Sequence, residues 1–517
     1  MIFKKIGVWL FPIIVFLVTF LLLFGHGISE ERHFPAPGWS RTIEFPVATG
    51  DITPYAYADK DGLHVYTSKG GSITVINFTK ALTIKKKRTI NTSGEVQRLI
   101  WGHSEKILYK QDGNLFIYHD GKHESLAKSV GDAAYQDNNV FYAKDKKLMK
   151  LNLQTGQTEE TAFSEPIVTL TVADNGDIVV VTNDDAQQFR FYYLKASEAF
   201  KGHHHPFTQH LAPSHAYVSN LQILWENDQL GIFFTQRTIQ KGNHDFNYFL
   251  QMPKAKLEVK KPAEWDHGRV VIHFPNGRSA SEDMMDFRLA KGPTLVFNAS
   301  GYRTHRDTAV NIYEAKLNSK GEWIAERRST SAVTSQKPVW AGDETLFWLD
   351  GVSYQKFQLA GASKNHQAID KSSAITREDV IQALSFAALS LGRGLLFLLI
   401  AILCTVPAIL VYGIISFTKV EWIERESPIV KYVCAAAFLV GQWVLILYFA
   451  SGDFTYYAPG YLTFPLANYL LPLAIAVLTW LMTMWVKNKE WGMAKELLYF
   501  FMLFMIAEFF LYGPYFF

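Results

Sequence analysis

His203, His204 and His205 are consecutive, with His210 and His215 a few residues further on. Neutral imidazoles ligate zinc, copper or nickel, so His203, His204, His205 and His210 form a candidate divalent-metal site. No carboxylate stands at helical or hairpin spacing from them, and a polar loop enriched in histidine accounts for the same residues. A second set pairs imidazole with carboxylate: His244 with Asp245, Asp266 with His267, and His305 with Asp307. Gathered on rim loops at one face they would make a general acid/base site, and held apart they are solvated turn residues. A third set lies in apolar sequence, where Gln442 and Glu508 are the conspicuous polar side chains. An ionisable group inside a bilayer is a functional candidate by default, although Glu508 falls near the end of its apolar run. No Walker loop, nucleophile elbow, HExxH or dinucleotide fingerprint occurs, which weighs against an enzyme.

The elements that must position these residues fall into two kinds. The chain has 517 residues, 49% hydrophobic and 15% aromatic against 19% charged, a balance that fits membrane helices joined to a β-rich module. A net charge of +3 gives no case for nucleic acid as a partner. Both cysteines, Cys404 and Cys434, sit in apolar runs near the C-terminus, so the rest of the chain has no disulfide framework and no Cys-based zinc site. Apart from a divalent metal at the histidines, no cofactor is expected.

Residues 6–24 carry no charge and are long enough to cross a hydrocarbon core of ~30 Å as a helix. Lys4 and Lys5 precede the run, and Glu30 and Glu31 follow it. The positive-inside rule then puts the N-terminus in the cytoplasm and the next segment outside. A cleaved signal peptide is the rival, disfavoured by the length of the run and by the poor cleavage site at Gly25–Ser29. Residues 1–26 are therefore read as an anchor and 27–375 as an extracytoplasmic β-domain.

In that domain an apolar strand, an Asp/Asn/Gly/Lys turn and a second apolar strand recur in seven segments, beginning near Tyr57, Leu99, Ala134, Leu170, Ile223, Phe287 and Val339. Asp112-Gly113 is typical, since tight hairpins need residues that accept positive φ. The recurrence is near the ~40–50 residues of a four-stranded propeller blade. A β-sandwich would give similar local patterns, but seven like units favour a ring. The last unit lacks a fourth strand, and Arg41–Val47 is a strand without a hairpin partner. Pairing the two would close the ring and remove its exposed edges. Lys147–Glu159 (KLMKLNLQTGQTE) resembles the strand and Thr-Gly turn of quinoprotein-type β-propeller repeats, without their tryptophan after the turn. The resemblance implies a propeller fold and carries no quinone cofactor with it.

Residues 376–393 open with Thr376 and Asp379 at capping-box spacing and are expected to form an amphipathic helix at the membrane surface. Four apolar segments follow in residues 394–517, near 394–417, 432–450, 462–486 and 497–512, each near spanning length. Lys419, Arg425 and Lys431 lie in the first connection, and Lys487, Lys489 and Lys495 in the third. The second connection and the tail have neither Lys or Arg, which places the propeller and the C-terminus outside. Arg393 is the dissenter, able to snorkel to headgroups.

The fold expected is mixed: an all-β propeller of about seven blades with an α-helical transmembrane bundle, in the cell membrane. The role expected is a binding scaffold or sensor facing a protein or cell-wall partner, with the lipid bilayer as the other partner. The rivals are a metal-dependent hydrolase or lyase on the His/Asp loops and an accessory subunit of a transport system.

Overall fold

Turn chemistry sets the β architecture. Asp112 and Gly113 have φ of 50° and 71°, and the two-residue turn they form sets Gln111 opposite Asn114. Asp120 and Gly121 repeat the arrangement at 48° and 78°, setting His119 opposite Lys122. Both turns use the left-handed region that Gly and Asp tolerate at low cost. The computed structural model describes residues 2–173, 175–184, 188–196, 200, 205–211, 216–226, 229–240, 243–253, 265–274, 284–289, 294–303, 308–320, 322–449, 454, 458–488 and 491–515. They form two compact units, a β unit running from Phe34 to Ala374 and a helical unit made of Met1–His33 and Ile375–Phe517.

The β unit is a seven-bladed propeller, with six four-stranded sheets and one of five strands. The inner strands of blades 1 to 7 are Tyr55–Asp59, Val96–His103, Ala133–Gln136, Ile167–Val172, Ala216–Glu226, Met285–Leu289 and Ser335–Ala341. Each packs against the next, and the seventh meets the first, so the ring is closed. Blade 6 gains its fifth strand from Ile272–His273, which runs parallel beside Trp323–Arg327.

Closure is made as the sequence predicts. Ile43–Thr49 is the outermost strand of blade 7 and pairs antiparallel with Lys356–Ser363, Ile43 opposite Gly361 and Thr49 opposite Phe357. Just before it, Ser40 N donates to Ser363 O and Ser363 N to Ser40 Oγ, both at 2.9 Å. Phe45 then packs between blades 7 and 1, its ring 4.7 Å from Phe78 and 6.0 Å from Phe347. All three rings are buried, so the seam that joins the chain's ends is also a core.

The helical unit comprises α1 (Ile2–Glu31), α3 (Arg377–Leu403), α4 (Val406–Thr418), α5 (Pro428–Phe449), α6 (Ala467–Val486) and α7 (Met493–Leu511), while α2 (His366–Ser372) belongs to the β unit. Among the described residues five helices are long and apolar enough to cross a membrane. The capping box expected at the start of α3 is present, with Thr376 N donating to Asp379 Oδ2 at 2.8 Å and Asp379 N to Thr376 Oγ1 at 3.1 Å. The amphipathic helix expected over 376–393 is not a separate element, because α3 runs unbroken through Arg393 to Leu403. Gly394 does not interrupt it and instead lets the Phe509 ring approach, where a Cβ would meet that ring at 2.8 Å. The break comes at Cys404 and Thr405, just before Pro407, which has no N–H to offer the preceding turn. Lys431 and Lys487 both bond Glu496, at 2.8 and 2.7 Å, which gathers the first and third helix connections at one end of the unit.

Candidate functional site

His203, His204, His305 and Asp307 lie outside the described residues. His205 and His210 are on His205–Leu211, the outermost strand of blade 4, opposite Tyr193 and Phe189. His244 and Asp245 are on the third strand of blade 5, opposite Ile239 and Thr238, and Asp266 and His267 are on its outermost strand. Those four positions were expected in rim loops and are strand residues instead, in blade 5's outer half. Its strands run to 11 and 12 residues, so chain that reads as irregular and polar is taken up in long hairpins. Among the described residues no group of three His, Cys, Asp or Glu side chains could hold a metal ion.

Gln442 and Glu508 are fully buried in the helical unit. Gln442 has an identifiable structural task. At the α3–α4 break Thr405 N donates to Ile402 O, and Gln442 Nε2 donates to the Ala401 carbonyl at 3.0 Å. The neighbouring Gly441 allows the close approach, since a Cβ there would lie 2.4 Å from Cys404 O. Neither oxygen of Glu508 has a hydrogen-bond partner among the described residues, and the Cys404 thiol lies within its electrostatic range.

A cavity in the propeller's channel gathers cationic, phenolic and apolar side chains. It has a volume of about 580 Å³ and is lined from the inner strands of blades 6, 7, 1 and 2 and from the connection into blade 1. Three cations line it: Arg98 of blade 2, Arg288 of blade 6 and Lys337 of blade 7. Irregular strands carry all three. The register shifts between Val96 and Arg98, between Met285 and Arg288, and between Gln336 and Val339. Asp286 and Lys337 sit at these bulges with φ of 54° and 55°, a conformation that costs a non-glycine residue energy and re-aims its neighbours. The two bulges are tied together, since Lys337 N donates to Asp286 Oδ2 at 3.0 Å.

The cations differ in how they are engaged. Arg98 pairs with Asp132, whose other oxygen accepts from Thr169 Oγ1 at 2.8 Å and Leu170 N at 3.1 Å. Lys337 Nζ bonds Asp51 Oδ1 at 2.5 Å and Asp51 O at 2.7 Å. Arg288 has no hydrogen bond or ion pair among the described residues. Burial, and then the Arg98 guanidinium, pull its pKa below the ordinary value, with Asp286 opposing. Burial in turn pushes the Asp286 carboxyl upward, against the pull of Lys337 and Arg288. Tyr55 also lines the cavity; burial, with Tyr57 and Tyr135 nearby, pushes its hydroxyl up to about 12, so it stays a neutral donor. In the same wall the Trp340 indole N–H is buried and has no acceptor among the described residues.

Arg98, Arg288 and Lys337 do not stand out in the sequence, because each is one basic residue in a short apolar segment: QRLI, FRLA and QKPV. The signal available was positional. Each falls in the first strand of its repeat, the one that lines the channel.

No protein-family model matches the chain, and no curated protein matches it. Solved structures with similar architecture include the N-terminal domain of Nup159, at 12% identity over 63% of this chain and 95% of that one, with a TM-score of 0.39. The β-propeller domain of Cps50 (Swd1) from Myceliophteria thermophila is 8% identical over 62% and 98%, also with a TM-score of 0.39. A gluconolactonase from Xanthomonas campestris is 11% identical over 62% and 98%, with a TM-score of 0.31.

Proposed function

We propose that this chain is a membrane-anchored binding protein, its propeller outside the cell membrane and its ligand seat at the channel cavity. The observation that carries the reading is the composition of that cavity. It offers cations, neutral donors and apolar walls on bulged strands, a set suited to recognition, while the His/Asp pairs of blade 5 lie on outer strands. Volumes of ~300–1,000 Å³ lined by apolar groups and a few polar ones are typical of small-ligand sites. The ligand would be a cell-envelope component or an exposed group of a protein partner. Lys419, Arg425, Lys431, Lys487, Lys489 and Lys495 support a cytoplasmic side for the first and third helix connections.

Two experiments test this. In a Cys404→Ser, Cys434→Ser background, a cysteine at Asp120 should react with a membrane-impermeant maleimide on intact cells, and one at Arg425 should not. The reverse pattern would overturn the orientation. Full-length protein in nanodiscs should bind solubilised envelope fractions, and Ile100→Trp, which fills the cavity, should abolish that binding. Equal binding by the filled variant would remove the cavity from the account.

A further inference from the structure

We propose that the channel cavity is a receptor site for a small organic anion, a carboxylate- or phosphate-bearing solute, seated on the Arg288 guanidinium. The proposal rests on the cavity being the ligand seat and adds the chemical class of what it takes. A guanidinium presents five N–H donors in a planar fork that matches carboxylate and phosphate oxygens, and it stays charged at any accessible pH. A half-buried guanidinium at a cavity wall is ordinarily engaged by a carboxylate or carbonyl, because its donors are already partly withdrawn from bulk water. Arg98 and Lys337 obey this rule through Asp132 and Asp51. Arg288 alone of the three does not.

The surroundings sharpen the assignment. Asp286, within electrostatic range of Arg288, already accepts from Lys337 N. Tyr55 brings a phenol that remains protonated and makes no hydrogen bond among the described residues. Gln336 Nε2 and Lys337 Nζ both bond Asp51 Oδ1, at 2.8 and 2.5 Å, which draws that carboxylate toward blade 7. The cavity therefore offers more uncommitted donors than acceptors, an arrangement complementary to an anion and repelled by a cation. Leu99, Ile100, Leu289 and Trp340 add apolar wall. That combination favours an organic anion with a hydrocarbon or sugar body over a bare inorganic one.

The test uses the full-length protein in detergent, titrated with citrate and with inorganic phosphate at constant ionic strength by isothermal calorimetry. Saturable 1:1 binding is expected, tighter for citrate, and Arg288→Gln should weaken it at least tenfold. Arg88→Gln, which removes a cation on the outermost strand of blade 1 that pairs with Glu105, should leave it unchanged. Arg288→Gln should also unfold at the wild-type temperature or above it, since it removes a charge with no partner. A fall in unfolding temperature would mean the guanidinium is structural and would count against the proposal. No saturable binding, or binding indifferent to Arg288→Gln, would overturn it. Failure here is separable from failure of the binding reading. If Ile100→Trp abolishes binding of the envelope component and Arg288→Gln does not, the seat stands and the anion is wrong. Anions free in solution and anions displayed on lipid headgroups are distinguished by repeating the titration with vesicles of neutral and of acidic phospholipid.

Discussion

Two polar regions of the propeller treat charge in opposite ways. At the seam of blades 6 and 7, Arg328 and Glu314 are each only 2% exposed, and every charge has a partner. Arg328 Nε donates to Glu314 Oε2 at 2.7 Å, a second nitrogen bonds Glu326 at 2.7 Å, and the Trp39 ring lies 4.9 Å from the guanidinium carbon. On the neighbouring strands of blade 7, Asp350 accepts from Ser331 Oγ, Ser335 Oγ and Trp348 Nε1 at 2.6, 2.7 and 2.8 Å. At the channel, Arg288 has no such set. Satisfied charge holds the ring shut, and unsatisfied charge waits for a ligand. The difference lies in hydrogen bonding and exposure and not in residue type, since an arginine serves both ends.

The sharpest way to break the comparison is to remove one partner at the seam. Glu314→Ala removes the buried partner of Arg328, leaves it only the half-exposed Glu326 carboxylate and the Arg327 carbonyl, and should cost about 3–5 kcal/mol, read from chemical denaturation of the full-length protein. A cost under about 1 kcal/mol would show that the seam tolerates an unpaired charge as readily as the channel does. Next is the titration of Asp350. Burial raises its carboxyl to about 6 against the attraction of its three donors. The folded state therefore holds a proton that the unfolded chain has already lost between pH 4 and 6. This group's contribution to stability is full below pH 4 and falls as pH rises through 6. A shift of roughly two units amounts to about 3 kcal/mol. Asp350→Asn should flatten that part of the stability-versus-pH profile, and an unchanged slope would contradict the assignment. Ser331→Ala should cost about 1.5–3 kcal/mol, the size of one hydrogen bond to a charged acceptor. Arg288→Gln, the smallest effect, should leave stability without ligand at the wild-type value or up to about 0.5 kcal/mol above it.

Legibility from sequence followed the range of the interactions. Asp112-Gly113 and Asp120-Gly121 announce their hairpins because positive φ is a local demand. Ile43–Thr49 announces its role because a strand with no neighbour in sequence needs one in space. The capping box at Thr376 and Asp379 is likewise local. The continuity of α3 through Arg393 was not legible, because it depends on how closely Phe509 packs at Gly394. The channel cavity was the least legible. Arg98, Arg288 and Lys337 are some 190 and 49 residues apart, and only ring closure, with a bulge on each strand, brings them to one cavity. The histidine runs stood out by composition, yet composition says nothing about which strand of a blade receives them.

The central claim is that ligand recognition happens at the channel, on the strands that carry Arg98, Arg288 and Lys337. Hydrogen exchange on the full-length protein, with and without saturating citrate, measures this by location. The account predicts that protection rises at the non-proline amides of residues 51–56, 97–100, 288–289 and 337–340, while the outer strands of blades 3 and 4 keep their rates. Protection confined to the outer strands, or no change at the channel under saturation, would contradict it.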